Sequence, residues 1–414
     1  MNIKPKVFLI SGLLVTSVQA ANLTLKDSFS AARTNMETLK RADALIEQRD
    51  EQKNRAKALM LPNISGVGSY TRIDQPDSFG NSPFTLTRQY SAGVRLSQPL
   101  FRGGSVSAYQ LAKDNVLLAE FQKDATELNL YQLVINSYYN LSIAQMDLKN
   151  LEELQKFSKQ RVKEIRGRTS IGRSRRGELI EAEAQLLAAE SQFQQGQINL
   201  QETERTFEFY TQIKPVEIGP LNEVPKVSGS LEEYLLKLQE RPDIQANQQH
   251  TRAADRQISI AKGGHLPSVD LTSNYYFDRT GILATAEWDV GVVVVVPIFQ
   301  GGSVTAATRE AVAVKRVAEL NSSEALRSAQ RDLRVNYQNY HQLQDQAKTL
   351  KEAVEKAGEA YRLNKKDYQY GIVTNLDVLQ SLNVFIETRR SYNNVFALSH
   401  MTYRNLEALV GVLP

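Results

Sequence analysis

No cysteine occurs in the 414-residue chain, which removes disulfide scaffolds, thiolate metal sites and cysteine nucleophiles together. Histidine is scarce as well: His250, His265, His341 and His400 are scattered and form no H-x-x-x-H pair. The G-x-S-x-G, phosphate-loop and paired-glycine dinucleotide motifs are all missing, so no enzyme, cofactor or metal site is expected. Charge of one sign does not dominate either. Lys and Arg number 50 against 46 Asp and Glu, a balance that gives no reason to expect a nucleic-acid partner. Beyond the N-terminus, no stretch approaches the roughly 20 consecutive apolar residues that a membrane-spanning helix requires.

The N-terminus itself carries a processing pattern. Met1 to Lys6 is short and basic, Val7 to Val15 is apolar, and Val18-Gln19-Ala20 offers small residues before Ala21, so residues 1–20 are expected to be a secretory signal peptide. No cysteine follows that point, and no lipid anchor is expected there. An exported chain without a spanning helix is expected to be either soluble or part of a barrel.

One stretch occurs twice. Gln98 to Val106 reads Q-P-L-F-R-G-G-S-V, and Val296 to Val304 reads V-P-I-F-Q-G-G-S-V in the same register. Each copy follows an alternating run and precedes a long helical pattern, so each marks a strand-to-helix junction. Pro99 and Pro297 are expected to close the strands, Gly103-Gly104 and Gly301-Gly302 to turn the chain, and the following serine to cap the helix. A duplication of this size implies two similar halves. The first repeat is read as residues 21–213, with a helix to about Ala58, a β-hairpin over 63–98 and a helical hairpin over 105–209. The second is 243–414, with a helix, a β-hairpin over 267–297 and a helical hairpin over 303–411. Residues 214–242, with four prolines, form a connector carrying a short helix from Leu231 to Leu238.

The strands alternate greasy and wet residues. Tyr90, Ala92, Val94 and Leu96 face one way, and Ser91, Gly93, Arg95 and Ser97 the other. Val269, Leu271, Tyr275 and Phe277 oppose Asp270, Thr272, Asn274 and Tyr276, while Trp288, Val290, Val292 and Val294 oppose Glu287, Asp289 and Gly291. Asn63 to Ile73 alternates poorly, and Gln75 to Leu86 reads as a loop. Runs of about 10 alternating residues with aromatic ends are typical of outer-membrane strands; the alternative is the edge of a soluble β-sandwich. The helical patterns are long: from Ser105 to about Gly167 there is neither proline nor interior glycine, roughly 95 Å of helix at ~1.5 Å per residue. Leu141, Leu148 and Val162 are in heptad step with Ala144, Leu151 and Ile165 between them; Gln155 and Ser158 interrupt. Ala347, Val354, Tyr361 and Tyr368 repeat the spacing. Four strands cannot sit in lipid as an open sheet, because the edges leave backbone groups unpaired. Closure must come from further copies, and three protomers would supply twelve strands with helical hairpins to prolong them.

On these residues the chain resembles the TolC family of outer-membrane efflux channels. The resemblance rests on Leu23-Thr24-Leu25, Leu61-Pro62 and Leu266-Pro267 before each first strand, the two F-x-G-G-S junctions, Arg241-Pro242-Asp243, and the turns at Gly172 and Gly371. It implies an α+β membrane protein with a two-fold internal repeat: a homotrimeric 12-stranded β-barrel, four strands per protomer, continued by a long α-helical coiled-coil tunnel into the periplasm. It also implies an exit duct of a tripartite efflux or type I secretion system, with a periplasmic adaptor, an inner-membrane transporter and outer-membrane lipid as partners. The alternative is a periplasmic coiled-coil scaffold without a channel.

The resemblance places the gate and adaptor contact at the far helix turns. Tyr368-Gln369-Tyr370-Gly371 and Asp377 match the family's Y-x-V-G-T-R-x-x-x-D pattern, with Val373 where well-known members carry a gating Arg. At the other turn Glu178 supplies the corresponding acid, and Arg173, Arg175 and Arg176 are additional; one of them is expected to replace the missing cation by pairing with Asp377 or Glu178. Each residue also has a plainer reading. Thr374-x-x-Asp377 fits a capping box, Gly172 and Gly371 fit left-handed turns, Tyr368 fits the heptad seam, and the arginines fit a solvated face. Tyr90, Tyr275 and Trp288 are expected to form a membrane girdle.

Overall fold

The computed structural model describes residues 23–74, 88–215, 217–281 and 283–414. The signal peptide over 1–20 and the loop over 75–86 lie outside these residues. Eight α-helices and four strands follow one another as α1 (Leu25–Asn35), α2 (Glu37–Ala58), β1 (Asn63–Arg72), β2 (Arg88–Arg102), α3 (Ser105–Ser170), α4 (Arg176–Thr211), α5 (Leu231–Lys237), α6 (Pro242–Gly263), β3 (Ser268–Arg279), β4 (Trp288–Val295), α7 (Ser303–Gln369) and α8 (Asn375–Leu409).

The chain divides into two compact units. One contains residues 33–133, 225–345 and 399–414, and with them the whole sheet. The sheet is antiparallel in the order β1-β2-β3-β4. Its register bears out the alternation: Val269, Leu271 and Tyr275 lie opposite Val294, Val292 and Trp288, while Val94 and Leu96 lie opposite Gly66 and Ile64 on β1. The wet face is tied by Arg95 donating to Asn274 at 2.9 Å, Asn274 donating to Asp289 at 2.8 Å, and Arg102 pairing with Asp270 at 2.9 Å. Between β2 and β3 the register slips at Ala92/Gly93, and a Cβ built on Gly93 would stand 2.2 Å from the Tyr275 carbonyl oxygen. Glycine is required there because a neighbouring backbone fills the side-chain position.

Away from the sheet, this unit buries Tyr234, Leu238, Ile244, Ala329, Leu333, Leu406, Leu409 and Val410 together. Tyr234 and Leu238 come from the connector, whose helix is α5 followed by a 3-10 turn over Leu238–Glu240. Pro242 opens α6 at a position where its missing N–H costs nothing, and Arg241 donates twice to the Asp243 carboxylate at 2.6 Å.

The other unit contains residues 134–224 and 346–398, with the segment before Arg33. Here α3 and α4 pack as a hairpin, with Val162, Ile165 and Ala182 in one buried group. Ala182, Ala189 and Gly196, seven apart on α4, are all buried. A Cβ on Gly196 would meet Leu151 Cδ1 at 2.8 Å, so this small-residue stripe is what lets α3 approach. A second group joins Leu154, Ala189, Leu382 and Ile386, with Phe157, Tyr361 and Phe385 against it.

Four expectations need correction. The first helix is broken: Met36 takes an extended backbone with ψ 128°, Phe29, Ala32, Met36 and Leu39 turn inward, and Leu45 is exposed. Pro99 does not close its strand, because β2 continues to Arg102 through an irregularity at Pro99/Phe101, where β3 carries the pairing. Ser105 and Ser303 are first helical residues rather than caps. The carbonyls of Gly104 and Gly302 accept the opening helical hydrogen bonds from Ala108 and Ala306 at 2.8 and 3.0 Å. On α3 the buried seam passes through Leu154, in place of Gln155, and through Ser158, which restores a period near 3.6.

Candidate functional site

Two regions carry the residues singled out from the sequence. The first is the pair of helix turns. Gly172, between α3 and α4, has φ +71°, and Gly371, between α7 and α8, has φ +76°. Each closes its helix with the same two bonds. Gly172 N donates to Thr169 O at 3.0 Å and Arg173 N to Arg168 O at 2.8 Å; Gly371 N donates to Tyr368 O at 3.2 Å and Ile372 N to Asp367 O at 3.0 Å. This is the Schellman arrangement, in which a left-handed residue returns the chain to the last helical carbonyls.

The restarts differ. At α8, Thr374 N donates to Asp377 Oδ2 at 2.7 Å, the Thr374 hydroxyl donates to the same oxygen at 2.5 Å, and Asp377 N donates back to Thr374 Oγ1 at 3.4 Å. The capping box read from the sequence is therefore formed. The Thr374 hydroxyl and backbone N–H hold the Asp377 carboxyl below its usual range. At α4 the cap position is Arg175, which makes no side-chain capping bond, and Glu178 instead accepts from the Ser174 hydroxyl. Arg173, Arg175 and Arg176 are exposed.

Tyr368 is buried, and two guanidinium groups lie over its ring: Arg161 at 3.7 Å from the centroid and Arg168 at 4.6 Å. Arg161 Nε also donates to Asn375 Oδ1 at 2.7 Å, and Nη1 pairs with Glu164 at 3.1 Å. One buried arginine on α3 thus joins the last turn of α7 to the first residue of α8. Further along, Arg390 on α8 grips Asp147 on α3 with bonds of 2.5 and 3.0 Å, and Arg389 reaches Glu153 at 2.5 Å. The hydrogen bonds to Asp147 raise the Arg390 guanidinium's pKa still further. Sequence reading missed these arginines. A signal existed for one: Arg161 and Arg168 are seven apart, in step with Tyr361 and Tyr368 on α7.

The second region is the sheet. Tyr275 and Trp288 are cross-strand partners, both exposed on the apolar face. Tyr90 is paired instead with Tyr70 on β1, which the sequence reading did not single out. Phe277 packs edge-on against Tyr275, centroids 5.8 Å apart. Of the junction residues, Gly103 and Gly104 are tightly enclosed, whereas Gly301 and Gly302, with φ +60° and +81°, have open space around them. Among the described residues no helix is long and apolar enough to cross a membrane.

The exposed apolar residues and aromatic ends of the sheet are the pattern of outer-membrane strands. The family model for the outer membrane efflux protein matches residues 29–211 and 235–412. The chain belongs to that family, whose members are non-enzymatic exit ducts of efflux systems in the outer membrane. It is 25% identical over 406 residues to outer membrane protein TolC of Vibrio cholerae, covering 95% of this chain and 90% of that protein. It is 26% identical over 316 residues to the outer membrane efflux protein BepC of Brucella suis, covering 73% and 66%. The crystal structure of the Campylobacter jejuni CmeC outer membrane channel superposes with a TM-score of 0.84 at 19% identity, covering 99% of this chain and 93% of that one.

Proposed function

We propose that three copies of this chain close their sheets into one 12-stranded barrel in the outer membrane, prolonged by the helical hairpins into a periplasmic tunnel. The duct then receives substrate from an inner-membrane transporter through a periplasmic adaptor, in a tripartite efflux or type I secretion assembly. The observation that carries this reading is the four-stranded sheet itself: it ends at β1 and β4, and Ile64, Tyr275, Trp288, Val290, Val292 and Val294 of its apolar face are exposed. In lipid each unpaired edge group costs several kcal/mol, roughly, so an open sheet needs neighbours on both sides. The test is the particle mass of protein extracted in detergent from outer membranes. A trimer is expected; a monomer in the soluble periplasmic fraction would favour the scaffold alternative.

The helix turns are proposed as the periplasmic gate and adaptor contact. Asp377 and Glu178 already engage Thr374 and Ser174 within the chain, yet neither carboxylate is buried, and the exposed Arg173, Arg175 and Arg176 neighbour Glu178 in sequence. One of these arginines, reaching Asp377 or Glu178 of an adjacent copy, would hold the tip shut in place of the cation missing at Val373. Removing all three is expected to raise the conductance of the reconstituted channel; unchanged conductance would discard the pairing.

A further inference from the structure

Where α3 and α8 run side by side, their contact changes character partway along. Nearer the helix turns it is apolar, with Leu154 packed in one group with Leu382 and Ile386. Further from the turns it opens into a cavity of about 330 Å³ between α3, α4 and α8, all within the unit of residues 134–224 and 346–398. Ile143 is the one apolar side chain on its wall. Asp147 and Asn150 follow Ile143 on one face of α3, while Glu387, Arg390, Ser391 and Asn394 fall at the three-, four- and seven-residue spacing of one α8 face. Helix faces at that spacing ordinarily pack against a neighbour. Here they line a space at the lower end of the ~300–1,000 Å³ that small-molecule sites occupy.

The charged groups of the cleft already answer one another. Arg390 donates to both oxygens of Asp147, at 2.5 and 3.0 Å, and to Glu387 at 2.8 Å. An ion of either sign would meet its own sign beside the opposite one, so charge does not choose the occupant. The uncharged groups are a different matter. Among the described residues the side chains of Asn199, Ser391, Asn393 and Asn394 make no hydrogen bond. Asn150 is 5% exposed, and its amide nitrogen has no partner. A buried amide donor left unpaired is costly and calls for an acceptor. Each of these amides and the serine hydroxyl both donates and accepts, which matches the adjacent hydroxyls of a sugar better than any group of fixed charge.

An aromatic surface adjoins the amides. Asn393 also lines a second cavity, of about 520 Å³, between α3, α8 and residues 217–221, on whose wall Tyr392 and Phe396 stack with centroids 5.7 Å apart. Ring faces carry negative charge and attract the C–H face of a pyranose, leaving its hydroxyls free for the amides.

We infer that this cleft binds a neutral saccharide of one or two units, its hydroxyls held by Asn150, Asn199 and Asn394 and its apolar face directed toward Tyr392 and Phe396 across Asn393. The Arg390–Asp147 clamp acts as a positioning pair, holding α3 and α8 in the register that keeps the amides open. Every lining residue comes from one chain, so the site does not depend on the number of copies in the particle.

The test is titration of the full mature protein, extracted in a detergent whose headgroup carries no sugar, with maltose, glucose and inorganic phosphate. Calorimetry is expected to show saturable binding of maltose, weaker binding of glucose and none of phosphate, and maltose should raise amide protection over 143–150 and 387–396. Asn394 is exposed, so Asn394→Ala should keep particle mass and heat stability while weakening maltose binding about tenfold, the loss of one good hydrogen bond. Asn150→Leu should weaken both sugars, and Tyr392→Ala should weaken maltose more than glucose. Saturable binding of neither sugar would show that the cleft holds water only and would overturn the inference. So would full-strength binding by both asparagine variants, protection confined to other segments, or saturable binding of phosphate in place of sugar.

Discussion

At the scale of single residues, the most informative group is Arg161 with Tyr368 and Asn375. Tyr368→Leu keeps a buried apolar side chain but removes two guanidinium contacts, a loss of roughly 1–3 kcal/mol in local stability. Amide exchange over the α7–α8 turn should report it, and the α3–α4 turn should change little. Asp377 gives a pH dependence with a definite sign. Its folded pKa lies below the ordinary carboxylate value of 3.8, so its capping contribution is complete above that value and fades as the pH falls through the folded pKa. Protection of the Asn375 to Val378 amides, taken against their intrinsic exchange rate at each pH, should therefore fall in acid, and Asp377→Asn should remove that dependence. At the other turn Arg175 occupies the cap. Arg175→Thr would recreate the box with Glu178 and is expected to stabilise α4 by about 0.5–1 kcal/mol, measurable as slower exchange in its first turn. The cap at Thr374 was legible in the sequence because four neighbouring residues suffice to make it. Arg161 was not, because its bond to Asn375 spans 214 positions and depends on how two hairpins pack.

At the scale of elements, the long helices and the alternating strands were legible, since period and the spacing of glycine and proline are local properties of the chain. What escaped was where neighbours overrule local preference. Pro99 can sit inside β2 because β3 supplies the pairing beyond it, and Met36 breaks the first helix so that Phe29 and Leu39 both reach the interior. Gly93 read as one small residue on a wet face, while its actual constraint is the Tyr275 backbone across the sheet. Gly93→Ala should thus cost about 1–3 kcal/mol and reduce the yield of heat-modifiable oligomer. Gly66→Ala, with nothing within 4 Å, is the control that should leave the yield nearly unchanged.

At the scale of the whole molecule, the chain makes sense as a fraction of something larger. Four strands with two open edges, a helix α6 that buries more residues than its counterpart α2, and a first junction more enclosed than the second are what the proposed closure by further copies calls for. Internal duplication was evident from the repeated F-x-G-G-S motif, but the unequal burial of its halves was not, since burial depends on which neighbours are present. The most direct measurement is conductance in a planar lipid bilayer by protein whose particle mass is known. Discrete, uniform steps produced by a trimer, rising when Arg173, Arg175 and Arg176 are removed together, are expected of a gated outer-membrane duct. A trimer or monomer that inserts into no bilayer and passes no current in any variant would contradict it.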